Sequence, residues 1–221
     1  MGFSNPQSRI YVTIQDGQFA VRSSESDPKA IKRETKNGSI VWECRYKALS
    51  GRISDLYFKN NDFNGKKWED LVMVIDDGQD LYQLSMPFPG KFSLSVLRAI
   101  KNAPLDQVIS FNPWTKVKDG KTKAALFMNL HGMKESVPWF YTVDMPNGLP
   151  ELVPYTVPGD SETKWSDVER TKFLRTMVER EIQPLLRDKN RVHVPAEASN
   201  PSIATVTDVP SDEPADDDLP F

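Results

Sequence analysis

The stretch "SIVWECRYKALSG" places Ile40, Trp42, Cys44, Tyr46 and Ala48 at every second position, with Glu43, Arg45 and Lys47 between them. Successive side chains of a strand point to opposite faces, so a two-residue period suits a half-buried strand and not a helix. The period recurs. "SRIYVTIQDGQFAVR" alternates Ile10, Val12 and Ile14 with Arg9, Tyr11 and Thr13, and turns at Asp16-Gly17. "RISDLYFKN" and "KWEDLVMVIDDGQDLYQLSMPF" continue it, the second as a hairpin turning at Asp77-Gly78, with "NNDFNGKK" as a loop between them. To about residue 155 the chain reads mainly as strands.

One segment breaks the period. In "FSLSVLRAIKNAP", Leu94, Leu97 and Ile100 recur at helical spacing before Asn102 to Pro104 end the run. Strands "DQVISFNPW" and "KAALFMNL" follow, joined by the turn "KVKDGK", and "PWFYTV" adds a further short strand. Strands with a single interposed helix predict a mainly β fold, an OB-fold-like barrel, closed or partly open. An antiparallel sandwich fits the same pattern, because periodicity does not report pairing.

"YTVPGDSETK" reads as a linker and "WSDVERTKFLRTMVEREIQPLLRD" as a helix. Its stripe is Val168, Leu174, Met177, Val178, Ile182 and Leu185, its capping box Ser166 with Glu169, and Pro184 should kink or shorten it. The stripe has to bury on the barrel or on a second subunit, which keeps a homo-oligomer among the expected partners. From about Val194 the composition is Pro, Ser, Ala and acid, and disorder is expected. The predicted organisation is a barrel over 1–158, linker and helix over 159–193, and an acidic tail over 194–221.

Charge divides along the same line. From Ala196 onward there are seven acids and no Lys or Arg; setting them aside leaves 28 basic against 24 acidic residues, a net of +4 against −3 for the whole chain. The body should attract polyanions and the tail imitate one. Several classes are disfavoured. No apolar run reaches the roughly 18 residues of a membrane span, and "MGFSNPQSRIYV" has neither a secretory pattern nor a complete myristoylation signal. One cysteine, Cys44, allows no internal disulfide and fits a reducing cytoplasm, and two histidines with it make no ordinary zinc site. No phosphate-binding Gly-rich loop, nucleophile elbow or Cys/His pair is present, so no enzyme and no cofactor are expected.

The last residues are "SDEPADDDLPF". A tail serving only solubility gains nothing from a terminal phenyl ring. Asp216, Asp217, Asp218, Leu219, Pro220 and Phe221 resemble the acidic tip of bacterial and bacteriophage single-stranded DNA-binding proteins (SSBs). The body departs from the N-terminal pattern of the cellular proteins and the tail lacks their long Gly/Gln-rich linker, so the resemblance is to a divergent, phage-type SSB. It implies coating and protection of single-stranded DNA in replication, recombination or repair, in the bacterial host cytoplasm if phage-encoded. It further implies recruitment of replication and recombination proteins through the tip, with no membrane partner. Phe221 burying in a partner pocket is worth about 1.5–3 kcal/mol, and its carboxylate suits a basic residue there. The tail should also compete with DNA for a basic groove, so deleting 211–221 should tighten DNA binding.

Sequence-tolerant binding of single strands takes cations along the phosphates and rings for the bases. "SFNPWTKVKDGKTKAALF" offers both: Phe111 and Trp114, just before Lys116, Lys118, Lys121 and Lys123 around Asp119-Gly120. In an OB-fold a hairpin at this place lines the nucleic-acid groove; the competing reading is a solvated hairpin with Trp114 in the core. A second candidate face runs Arg45, Lys47, Arg52, Tyr57 and Lys59, although Tyr57 shares its parity with Ile53 and hence with the core. Tyr11, opposite Ile10 and Val12, is a better stacking residue than Trp42 or Tyr46, which fall on the apolar face. "KAIKRETK" (Lys29, Lys32, Arg33, Lys36) is a basic loop able to close over DNA, or an ordinary solvated one. Two rival functions stand beside this one: a metal-dependent nuclease using Asp76, Asp77 and Asp80, and an adaptor that binds proteins but not DNA. Asp-Asp-Gly is also an ordinary hairpin turn, and that reading is preferred.

Overall fold

A computed structural model describes residues 9–35, 38–156 and 163–191. The acidic tail with its tip Asp216–Phe221, and Lys36, lie outside the described residues. Four short strands come first: β1 (Arg9–Gln15), β2 (Gln18–Ser23), β3 (Ile31–Glu34) and β4 (Ile40–Tyr46). A meander of β5 (Leu49–Phe63), β6 (Lys66–Asp76) and β7 (Leu81–Phe88) leads into helix α1 (Lys91–Ala99). The hairpin β8 (Ile109–Lys118) and β9 (Lys121–Leu130) follows, then a ribbon of β10 (Val153–Thr156) and β11 (Thr163–Ser166).

The first nine strands make one sheet in the order β3-β4-β2-β1-β7-β6-β5-β8-β9, antiparallel except where β1 runs parallel to β7. Among the described residues the ladder does not close, since β3 and β9 are its two ends. The sheet curls nonetheless. The β1–β2 turn returns to β8, where a Cβ added at Gly17 would lie 3.2 Å from Thr115 Oγ1. The protein is mainly β, and its meander, crossing helix and hairpin are compatible with an OB-like barrel.

Two devices bend β5. It pairs with β8 over Leu49–Gly51 and with β6 from Arg52 onward. At the changeover a Cβ on Gly51 would sit 2.5 Å from Ile75 Cγ2 and 2.7 Å from the Asp76 carbonyl oxygen, so only glycine lets the backbones approach. Two residues on, the register shifts between Ile53 and Asp55. This bulge leaves Ser54 as the extra residue and reverses the parity beyond it. Ile53 and Leu56 are both buried, three residues apart, and Tyr57 moves to the face opposite the core. Strict alternation had put it beside Ile53.

The core sits between the sheet and its helices. β6 supplies five consecutive buried residues, Leu71–Ile75, the continuous apolar run of a strand covered on both faces. Leu97 and Ile100 of the α1 segment are fully buried, and each is worth about 1.5–3 kcal/mol. Ser95 Oγ accepts the Leu126 N–H at 2.8 Å, so α1 satisfies part of the free edge of β9.

The C-terminal helix runs as α2 (Val168–Met177), a π turn (Val178–Ile182) and α3 (Gln183–Arg191). Pro184 therefore causes no break: the wide turn just before it accommodates a residue that can neither donate nor tolerate the preceding carbonyl. The extra residue rotates the apolar stripe, so Leu186 is buried at 1% exposure while Leu185 is exposed at 51%. Leu174, Met177, Val178 and Ile182 join the same core as the sheet, whereas Val168 at the start of the stripe stays exposed. Asp167 and not Ser166 is the N-cap, without a side-chain cap.

Four segments differ from expectation. "NNDFNGKK" is no loop: β5 and β6 pair to Phe63 and Lys66 around the Asn64-Gly65 turn. "KAIKRETK" contains β3, with Arg33 bonded to Glu43 at 2.9 Å. Both ends of "YTVPGDSETK" are paired in the β10–β11 ribbon, the residues between lying outside the described ones. "PWFYTV" forms no strand; the Phe140 and Tyr141 N–H groups donate instead to the Arg98 carbonyl at the end of α1, at 2.7 and 3.2 Å.

Candidate nucleic-acid interface

β8 and β9 extend to Lys118 and Lys121, so the lysines lie on strands and their directions are fixed by the pleat. Lys116 stands directly opposite Lys123, and Lys118 opposite Lys121. Trp114, opposite Ala125, and Phe127, opposite Asn112, occupy the same face further in. Their rings meet edge to face with centroids 6.4 Å apart. Ile109, Phe111 and Pro113 alternate to the core side and are buried, whereas Trp114 is only half-buried. The four lysines and Trp114 share one face, but the second expected ring, Phe111, points to the core and is fully buried, and Phe127 stands beside Trp114 instead. Two of the cross-strand pairs on this face join like charges. Such pairs oppose folding by tenths of a kcal/mol; a polyanion along the hairpin reverses their sign.

The second group is divided. Tyr11 is 66% exposed on β1. Tyr57 is half-buried nearby; burial raises its phenol pKa, Asp55 adds to the rise, and Arg9 opposes it. Lys59 follows Tyr57 on the same exposed face of β5. Arg52 is exposed on β5 before the bulge, and Lys47 is exposed at the bend between β4 and β5. Arg45 is committed elsewhere: it binds Glu43 at 2.9 Å and Asp16 at 3.1 Å. Burial pulls the Arg45 pKa down, and the two carboxylates raise it above its ordinary value. Glu43, expected on a solvated face, is only 3% exposed because Arg33 and Arg45 enclose it. Ile40 and Tyr46, expected in the core, are exposed at 55% and 48% because β4 lies near the end of the sheet.

The aspartates of "VIDDGQDL" serve the turn. Asp76 Oδ1 accepts the Gly78 N–H at 2.8 Å, and Asp77 Oδ1 accepts those of Gln79 and Asp80 at 2.9 and 2.8 Å. Burial, with Asp77 and Asp80 adding, pushes the Tyr82 phenol up to about 12. Among the described residues no group of three or more His, Cys, Asp or Glu is placed to hold a metal. None of them forms a helix long and apolar enough to cross a membrane.

One surface is anticipated by the sequence only at Lys59, with Trp68 undecided between core and stacking. The β5–β6 hairpin exposes Phe63 at 67% and Trp68 at 42%, with Lys59, Lys66 and Lys67 around them. Its signal was available in Asn64-Gly65, a strong hairpin dipeptide flanked by residues that continue the alternation.

Comparison with protein-family models, with curated proteins and with solved structures returns no match.

Proposed function

We propose that this chain binds single-stranded nucleic acid, DNA in the first instance, with little sequence preference. It coats and protects the strand during replication, recombination or repair. The observation that carries the reading is the β8–β9 face, where Lys116/Lys123 and Lys118/Lys121 face each other beyond the Trp114–Phe127 ring pair. Cations hold phosphates regardless of sequence, and rings accept any base because every base has a π face. Tyr11, Tyr57, Lys59, Arg52 and Lys47 supply a second group of rings and charges, while Arg45 mainly organises Glu43 and Asp16. The acidic tail recruits replication and recombination proteins through Asp216–Phe221, a role resting on the sequence resemblance. The alternative, a nuclease at Asp76, Asp77 and Asp80, is less favoured, because Asp76 Oδ1 and Asp77 Oδ1 accept amides of their own turn.

Titration of a fluorescent oligonucleotide at two salt concentrations tests the proposal. Tight binding at low salt that weakens steeply as salt rises, without cleavage on adding Mg²⁺, is expected. Cleavage supports the nuclease, and absence of binding at low salt supports the adaptor. Deleting residues 211–221 should tighten binding, most at low salt.

A further inference from the structure

The β5–β6 hairpin outruns its neighbours. The last β7 partner of β6 is Phe88, opposite Glu69, and β8 leaves β5 at Gly51. From Asn61 to Trp68 the two strands therefore have only each other as ladder partners. The arm is braced from one side at its root. Arg175 of α2 forms an ion pair with Glu69 and lies 5.0 Å over the Phe58 ring, which packs on Phe88 at 4.8 Å. The other side is uncovered. Register places Lys59, Asn61, Phe63, Lys66 and Trp68 there together, Asn61 opposite Trp68 and Phe63 opposite Lys66. Asn61 Nδ2 donates to Asp70 Oδ2 at 3.0 Å, tying the two strands on that side.

Two large exposed rings beside two lysines, on a hairpin held in place from behind, repeat the chemistry of the β8–β9 face. We infer that the uncovered side of this arm is a second stacking platform for the same single strand, an inference that rests on the function proposed above. A base stacks on Trp68 and another on Phe63, while Lys59 and Lys66 meet the intervening phosphates. Arg175 acts as a positioning residue that holds the arm from its far side.

The test uses the full chain with Phe63→Ala, Trp68→Ala and the double variant, titrated with fluorescent oligothymidines of about 30 and about 8 nucleotides. Each ring removed should weaken binding of the long strand roughly 5- to 150-fold, the range for base–aromatic stacking. The short strand, which need not span both hairpins, should lose less. Trp68→Phe should retain binding that Trp68→Leu loses, which separates stacking from simple apolar burial, and these exposed positions should leave the melting temperature unchanged. If the double variant binds the long strand like the parent while Trp114→Ala is impaired, the arm has another partner and this inference is wrong, although the proposed function survives. If the parent binds no oligonucleotide, both fail.

Discussion

Trp114 and Phe127 meet edge to face on adjacent strands, 6.4 Å between centroids, on the face that also carries the four hairpin lysines. Trp114 itself is half-buried. Trp114→Ala should weaken single-strand binding by about 1–3 kcal/mol, measured by fluorescence anisotropy. Trp114→Phe should retain most of the affinity. Equal loss in both variants would assign Trp114 to packing.

Gly51 marks the point where β5 exchanges one neighbour for another. A Cβ there would meet Ile75 Cγ2 and the Asp76 carbonyl at 2.5 and 2.7 Å, and the carbonyl belongs to a central ladder. Gly51→Ala should destabilise by about 1–3 kcal/mol, the usual cost of overpacking, as a lowered urea midpoint with unchanged slope.

Glu43 is enclosed by two guanidiniums whose side chains are 32% and 19% exposed. Glu43→Gln leaves two like charges facing a neutral amide. Because both arginines reach solvent, the loss should fall below that of a sealed pair, at about 1–3 kcal/mol. Replacing Arg33, Glu43 and Arg45 together by apolar residues should recover part of it in chemical denaturation.

Asp27 receives the Ser23 hydroxyl at 2.7 Å, the Lys29 N–H at 2.9 Å and the Cys44 thiol at 3.2 Å. The Ser23 bond, then the Lys29 amide and Cys44, lower its pKa below 3.8 in the folded chain. A depressed carboxyl stabilises the fold above its unfolded pKa and loses that contribution as pH falls through the folded value. The parent should therefore lose stability below about pH 4 more steeply than Asp27→Asn, measured by thermal melts across pH 2–6.

The period-2 pattern made the strands legible, and with them the meander, helix and hairpin order. Periodicity failed where one residue was inserted: in the sheet the Ser54 bulge sent Tyr57 to the opposite face, and in the C-terminal helix the π turn exchanged Leu185 for Leu186. Both insertions depend on long-range packing, which local alternation does not encode. The lysine hairpin was legible because its residues are close in sequence. The enclosure of Glu43 was not, since Arg33 arrives from β3 and Arg45 is itself held by Asp16 of the β1–β2 turn. The β5–β6 arm is hard to read from the sequence because its polar tip has the composition of a loop, although Asn64-Gly65 marks a tight turn.

The central claim is that the four hairpin lysines hold phosphates. For single strands, log K falls with log salt by about 0.7 per phosphate neutralised. Replacing Lys116, Lys118, Lys121 and Lys123 by Gln should therefore flatten the salt dependence of oligonucleotide binding by roughly 3 in slope and weaken binding most at low salt. A variant that folds like the parent and keeps both its affinity and its slope would contradict the account.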